Sequence, residues 1–251
     1  MKDYHTLFEQ GDFKWRVLFR DPNKMADILD SNEYLITKGD KHMLLDPGGF
    51  AIFPTIVSTL VQFISPEDIQ YVFASHQDPD IASSLSLWQE IQPDIKCYIS
   101  WLWKSFAPHF GGSDETFIPI PDKGMTISLN GQVFEVVPAH HMHSAGNFHL
   151  YDPVSRIYFS GDTGAALLPD NRRKLFVADF QEHIPYIEYF HRRWFGSNGH
   201  KNDWCERVSE MKIDILCPQH GSIYRGDDVK RFIEWLHKLN VGIANNQGIS
   251  K

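Results

Sequence analysis

The sequence predicts an α/β fold whose strands form two groups, one in each half of the chain. Short apolar runs of strand length alternate with segments whose apolar residues recur at helical spacing. Several of these strands end directly in His or Asp, as before His76, Asp162 and His220. Open α/β sheets usually carry their sites at the carboxyl ends of strands. We therefore expect a single α/β domain over residues 1–251, with functional residues at strand ends.

The first half of the chain is predicted to be a β-meander followed by helices and buried strands. Strands are expected at residues 15–20, 33–38 and 42–48, the last two joined as a hairpin across Gly39 and Asp40. A helix over 54–64 precedes an apolar strand at 69–74, which runs into the segment HQDPD. A helix beginning near Asp80, a strand at 96–99, a helix at 101–109 and a connecting loop up to Gly131 follow.

The second half repeats the alternation. Strand patterns cover residues 132–137, 148–151 and 156–159, and the last of these ends in SGDTG. Helices are expected within 185–193 and 203–211. A strand at 213–217, the loop PQHG and an amphipathic helix at 227–239 complete the prediction.

Composition and charge exclude several classes of protein. With 42% hydrophobic and 22% charged residues, the chain is typical of globular proteins. Its formal charge of -8 disfavours nucleic acid and anionic lipid as partners. The N-terminus lacks a signal-peptide core, and no segment approaches the roughly 18 apolar residues of a spanning helix. We expect a cytoplasmic protein without a membrane partner, whose three separated cysteines are buried thiols.

The strand ends supply three imidazoles and three carboxylates, a set typical of a metal site: His76, Asp78, Asp80, His143, Asp162 and His220. In an extended segment, residues i, i+2 and i+4 point the same way, so the first three can face one pocket. Three ligands on one segment are more than a single ion usually takes, whereas two ions bridged by Asp162 could use them all. The alternatives are that Asp80 caps a helix and that Asp162 is an ordinary turn residue.

The ordered motifs HxDxD, HSAGN, SGDTG and PQHG resemble the metallo-β-lactamase superfamily. More narrowly, they resemble the lactamase-type domain of flavo-diiron proteins and the stand-alone oxygen-binding diiron proteins related to them; SNEYLI, MLLDPGG and CPQHGSIYRG extend the similarity. The resemblance implies a four-layer αβ/βα sandwich and two iron ions, Fe²⁺ or Fe³⁺, with a bridging oxo, hydroxo or O₂-derived ligand. It implies that His76, Asp78, His143 and Asp162 bind one ion, while Asp80, Asp162 and His220 bind the other.

The resemblance also selects one histidine from a crowded segment. Only His143 is followed by Ser-Ala-Gly-Asn, which matches the His-Thr-Pro-Gly turn of the superfamily, so it is preferred to His141. His140 and His141 are then expected either to support the ligands through hydrogen bonds or to lie at the surface. The other histidines stay without an assigned role: His109, His183, His191, His200 and His237.

Two departures from the zinc-hydrolase signature HxHxDH affect the choice of metal. This chain has Asp78 and Ile81 where that signature has histidines. A carboxylate in place of an imidazole favours iron over zinc, which is the alternative metal. Ile81 cannot coordinate, so one coordination position is left open. Flavo-diiron proteins usually have Glu where Asp78 stands. The shorter Asp side chain is expected to shift the position of the first metal ion or to weaken its binding.

Three functions are compatible with this reading. Flavo-diiron proteins carry a flavodoxin domain after the lactamase-type one, whereas this sequence shows no flavodoxin domain, FMN site or CxxC pair. The first expectation is therefore a protein that binds O₂ as a sensor or reversible binder, with a signalling protein as partner. The second is an O₂ or NO reductase served by a separate electron-donor protein. The third is a dinuclear hydrolase that uses a metal-activated water.

Overall fold

The computed structural model describes residues 4–18, 29–111, 113–169 and 172–243. The chain divides into two compact units, Met1–Phe134 and Glu135–Lys251. The expectation of one domain over residues 1–251 without a flavodoxin domain stays a prediction. The end of the first predicted strand, residues 19–20, lies outside the described residues.

The first unit is built on a seven-stranded sheet whose strands follow one another in chain order. They are β1 (Tyr4–Gln10), β2 (Phe13–Leu18), β3 (Tyr34–Lys38), β4 (Lys41–Leu45), β5 (Ile69–Phe73), β6 (Lys96–Ser100) and β7 (Phe117–Ile120). Strands β1 to β4 pair antiparallel as the predicted meander, and β4 to β7 pair parallel. Parallel neighbours need crossover connections, which usually contain helices. These helices are α1 (Phe53–Leu60), α2 (Pro79–Ala82), α3 (Leu85–Ile91) and α4 (Trp101–Lys104).

The second sheet has six strands in the order β13-β12-β11-β10-β9-β8. They are β8 (Met125–Leu129), β9 (Gln132–Pro138), β10 (Phe148–Asp152), β11 (Ile157–Phe159), β12 (Ile215–Cys217) and β13 (Tyr224–Arg225). The chain passes from the first unit into the second within β9. Strands β11 and β12 are parallel, and their connection contains α5 (Phe180–Trp194) and α6 (Asn198–Ser209). Helix α7 (Asp227–Lys238) follows β13.

Each unit has its own hydrophobic core. In the first, Trp88 of α3 is fully buried with Leu44 and Ile81. In the second, Trp204 of α6 and Phe232 of α7 are fully buried with Tyr158 of β11. Apolar burial of this kind is worth about 1.5–3 kcal/mol for each large side chain, so these cores hold the strand ends firmly.

Four strands and several helix boundaries differ from the predictions; the helix expected at 101–109, for example, ends as α4 at Lys104. The predictions missed β1, β7, β8 and β13. Strand β1 lacks a clear apolar pattern because it is half-exposed, contains polar residues and has a bulge near Phe8. Helix α5 begins at Phe180 rather than Pro185, because the Asp179 carboxylate caps it by accepting the N–H groups of Gln181 and Glu182. Helix α6 likewise begins at Asn198.

The sheet topology explains why two of the ligand-type residues, Asp162 and His220, lie close together. His76 follows β5, Asp162 follows β11 and His220 follows β12. Because β11 and β12 are parallel neighbours, with Phe159 opposite Cys217, their carboxyl ends lie at the same edge of the sheet. Among the helices of the described residues, none has the length and apolar character needed to cross a membrane.

Candidate metal centre

His76 is the first predicted ligand, and a buried network fixes its ring. The Asp46 carboxylate accepts the Ser75 backbone N–H at Oδ1 and the Ser75 hydroxyl at Oδ2, both at 2.7 Å. Ser75 Oγ is 2.9 Å from His76 Nδ1. Since the hydroxyl proton is directed to Asp46, Ser75 Oγ accepts from His76 Nδ1–H. The lone pair of the neutral imidazole is then on Nε2, the atom that a metal ion would use.

Asp78 lies beside His76, whereas Asp80 lies in a turn of helix. Oδ2 of Asp78 lies 3.5 Å from Nε2 of His76. The expectation of an extended segment from His76 to Asp80 is wrong, because Pro79 begins the one-turn helix α2 and Asp80 lies in its first turn. Proline is suited to that first position, where its missing N–H costs nothing. The backbone of this turn packs against Gly49, where an added Cβ would lie 3.2 Å from Cα of Asp80.

Asp162 and His220 lie on two loops that main-chain hydrogen bonds hold together. These loops continue the parallel pairing of β11 with β12. Ser160 N–H donates to the Cys217 carbonyl, Gln219 N–H to the Gly161 carbonyl, and Ala166 N–H to the His220 carbonyl. Main-chain hydrogen bonds therefore fix the backbone that carries these two ligand-type side chains.

His143 lies on a tight turn. It has a φ of +80°, a conformation that a residue other than glycine adopts only when its surroundings impose it. The Asn147 side chain holds this turn by donating to the Met142 carbonyl at 2.7 Å. The His143 ring packs against Phe190 and Trp194 of α5, with ring centroids 5.9 and 5.1 Å away.

The Asp162 carboxylate directs one oxygen to each of two histidines. Oδ2 is 3.5 Å from Nε2 of His143, and Oδ1 is 3.3 Å from Nε2 of His220. Two donors that are each about 2.1 Å from one ion lie about 3 to 3.4 Å apart. Each histidine–carboxylate pair therefore has the spacing of ligands that share an ion. This geometry suits a carboxylate that bridges two ions.

The structure separates the preferred histidine from its neighbours. The His141 ring lies 4.4 Å from that of His200, and His140 contacts the Ala145 carbonyl through Nδ1. Neither contact involves Asp162. Sequence reasoning gave no role to Asp46; the signal was a polar residue at the end of the buried strand β4, within MLLDPGG.

The donor set fits iron. All three candidate imidazoles present Nε2 to a carboxylate oxygen. A mixture of imidazole and carboxylate ligands is typical of non-haem iron, whereas structural zinc sites are usually richer in cysteine. The three cysteines are buried and take part in no disulfide within the described residues.

The network behind His76 generates the first prediction. Ser75→Ala removes the acceptor of His76 Nδ1–H, so the ring loses its fixed tautomer and orientation. We expect about 10- to 100-fold weaker binding of ferrous iron, measured by anaerobic competition with a chelator. The control is Ser65→Ala, which removes an exposed serine that contacts Glu67. Equal iron affinity in Ser75→Ala and the wild type would contradict the role of this network.

Gly221, the residue after His220, generates the second prediction. Gly221 has a φ of +85°, and a Cβ there would lie 2.8 Å from the Ala166 nitrogen and 2.9 Å from its oxygen. Gly131, with a φ of +83°, has open space around it. Gly131→Ala should cost about 1 kcal/mol of unfolding free energy from backbone strain alone. Gly221→Ala should cost about 3 kcal/mol or more, because the loop carrying His220 must also move. Urea denaturation measures both, and equal losses would contradict the close approach.

Comparison with solved structures shows that the chain is similar to a chemotaxis sensor, ODP. A structure described as "Peroxy diiron species of chemotaxis sensor ODP" is 40% identical, with 97% of each chain covered and a TM-score of 0.86. The apo state of chemotaxis sensor ODP from T. denticola is 41% identical, with the same coverage and TM-score. A flavoprotein from Thermotoga maritima is 21% identical with a TM-score of 0.78, covering 94% of this chain and 61% of that one; at this identity only the fold is shared.

Two curated relatives are more distant and longer. The uncharacterized protein MJ0732 from Methanocaldococcus jannaschii is 23% identical over 209 residues, which is 81% of this chain and 52% of that protein. The flavo-diiron protein FprA2 from Clostridium acetobutylicum is 28% identical over 132 residues, covering 52% of this chain and 33% of FprA2. The chain thus spans about half the length, or less, of these relatives.

Residues 29–221 match the family described as ODP family beta lactamase. The predicted α/β fold of the metallo-β-lactamase type is confirmed by this match and by the structural similarity to ODP. The chain belongs to the ODP beta-lactamase family.

Proposed function

We propose that this chain is a non-haem diiron protein that binds O₂ and acts as a cytoplasmic oxygen sensor. The observation that carries the proposal is the Asp162 carboxylate, which presents one oxygen to His143 and the other to His220. The similarity to chemotaxis sensor ODP, one of whose structures is of a peroxy diiron species, supports the same function.

All six predicted ligands belong to the proposed centre. We assign His76, Asp78 and His143 to one iron ion and Asp80 and His220 to the other, with Asp162 shared between them. The contact of His76 with Asp78 and that of His143 with Asp162 support the first group. The contact of His220 with Asp162 supports the second.

The protein environment suits binding of a small apolar gas. Two ferrous ions would supply the electrons that O₂ binding requires. The side chains of the chain itself hold ligands and limit access of water: Phe190 and Trp194 cover one side of His143. Ile81, which takes the position of a zinc ligand in the hydrolase signature, is fully buried. It adds apolar surface next to Asp80 and no coordinating atom, which counts against the hydrolase alternative.

The proposed partner is a signalling protein, since the similar ODP structures are those of a chemotaxis sensor. NO as a second ligand and a separate electron-donor protein belong to the alternative function, an O₂ or NO reductase. The two functions differ in what happens after O₂ binds. A sensor keeps the bound state when no donor is present, whereas a reductase consumes O₂ when a donor supplies electrons.

Anaerobic loading with ferrous iron tests the proposal. We expect the wild type to bind two equivalents of Fe(II), and His220→Ala to bind about one. The matched control, His109→Ala, changes an exposed histidine and should still bind two. Addition of O₂ without a donor should produce a visible absorption band that persists for minutes and fades when O₂ is removed.

Three outcomes would count against the proposal. Immediate conversion to a diferric spectrum, with rapid O₂ consumption once a reduced flavoprotein or rubredoxin is added, would favour the reductase. Tight binding of zinc with hydrolysis of a phosphodiester, thioester or lactam would favour the hydrolase. Failure of the wild type to bind iron would exclude both iron-dependent functions.

A further inference from the structure

His191 is a buried histidine of α5 to which the sequence patterns assign no role. Its ring is fully buried and lies between the aromatic rings of Phe195, Phe232 and Trp235, whose centroids are 4.9 to 5.7 Å away. Both ring nitrogens are engaged. Nδ1 lies 2.7 Å from the Ile187 carbonyl oxygen, and Nε2 lies 2.9 Å from the backbone nitrogen of Gly164.

These two contacts fix the protonation of the ring. A carbonyl oxygen can only accept, so Nδ1 carries the proton. A backbone N–H can only donate, so Nε2 presents its lone pair. His191 is therefore a neutral imidazole in a single tautomer, and burial lowers its pKa to about 4. A protonated ring would lose the contact to Gly164.

The peptide that His191 holds belongs to the loop that carries Asp162. Gly164 has a φ of +99°, and an added Cβ would meet Tyr224 at 3.1 Å, so its backbone position is closely defined. The Tyr224 hydroxyl donates to the Gly164 carbonyl at 2.9 Å, and the Ser160 hydroxyl donates to the Thr163 carbonyl at 2.6 Å. His191 accepts the N–H of Gly164 at this bend.

Helix α5 thus contacts both the His143 ring and the loop that carries Asp162. One residue away from His191, Phe190 packs against the His143 ring, and Trp194 does so one turn later. We propose that His191 is a positioning residue of the metal centre: by accepting the Gly164 N–H, it sets the direction in which Asp162 presents its two oxygens to His143 and His220. The inference rests on the proposed function, because it assigns His191 to the same centre.

Three variants and one control separate positioning from general stability. His191→Phe keeps a ring for packing and removes the acceptor. His191→Gln restores an acceptor, because its Oε1 is as many bonds from Cβ as Nε2 of histidine. His191→Asn places its acceptor one bond too short. The control, Tyr151→Phe, removes a part-buried hydrogen bond to the Lys212 carbonyl elsewhere in the second unit.

Anaerobic titration with Co(II) is the measurement, because its visible d–d absorption reports ligand geometry without O₂ chemistry. Relative to the wild type, His191→Phe and His191→Asn should bind Co(II) about 10-fold or more weakly, with a changed d–d spectrum. His191→Gln should recover most of the affinity and the spectrum. Tyr151→Phe should lose stability in urea while keeping wild-type Co(II) binding.

The outcomes distinguish this inference from the proposed function. If the wild type binds no pair of ions, the proposed function fails and this inference fails with it. If the wild type binds two Co(II) ions and folded His191→Phe matches its affinity and spectrum, only the inference is overturned. Should His191→Phe not fold, wild-type Co(II) binding by His191→Asn would overturn it in the same way.

Discussion

The parallel pairing of β11 with β12 is the constraint on which the candidate site depends. It brings the carboxyl ends of the two strands to one edge, and the loops that follow continue the pairing through hydrogen bonds from Gln219 to Gly161 and from Ala166 to His220. Asp162 and His220 are consequently held in register by the main chain. The main chain positions this carboxylate before any metal ion binds, and a metal ion that binds there does not have to order it.

The remaining ligand-type residues are also held by groups that do not coordinate. Asp46 and Ser75 orient the ring of His76, and Asn147 holds the turn that carries His143. Each of these side chains is buried, and an unsatisfied buried polar group costs about 1–3 kcal/mol. The energetic cost of leaving one of these hydrogen bonds unmade is therefore large. This cost makes the ligand directions specific before any ion binds.

Much of the fold could be predicted from the sequence, because it depends on local patterns, and the same patterns supply the proposed ligands. The strand ahead of His76 is a continuous apolar run, and HSAGN, SGDTG and PQHG are contiguous motifs. What could not be predicted depends on contacts between distant segments. Asp46 is 29 residues from Ser75, and His191 is 27 residues from Gly164. A helix is predicted to begin near Asp80 and begins one residue earlier, at Pro79, so the extended alternation that starts at His76 does not reach Asp80.

The central claim is that Asp162 is shared by two ions, and diffraction at the iron absorption edge tests it most directly. Crystals of anaerobically loaded protein should show two anomalous peaks. One should lie beside Nε2 of His143 and Oδ2 of Asp162, and the other beside Nε2 of His220 and Oδ1 of Asp162, with separate ions about 3.5 Å apart. A single peak, or two peaks of which only one touches the Asp162 carboxylate, would contradict the account.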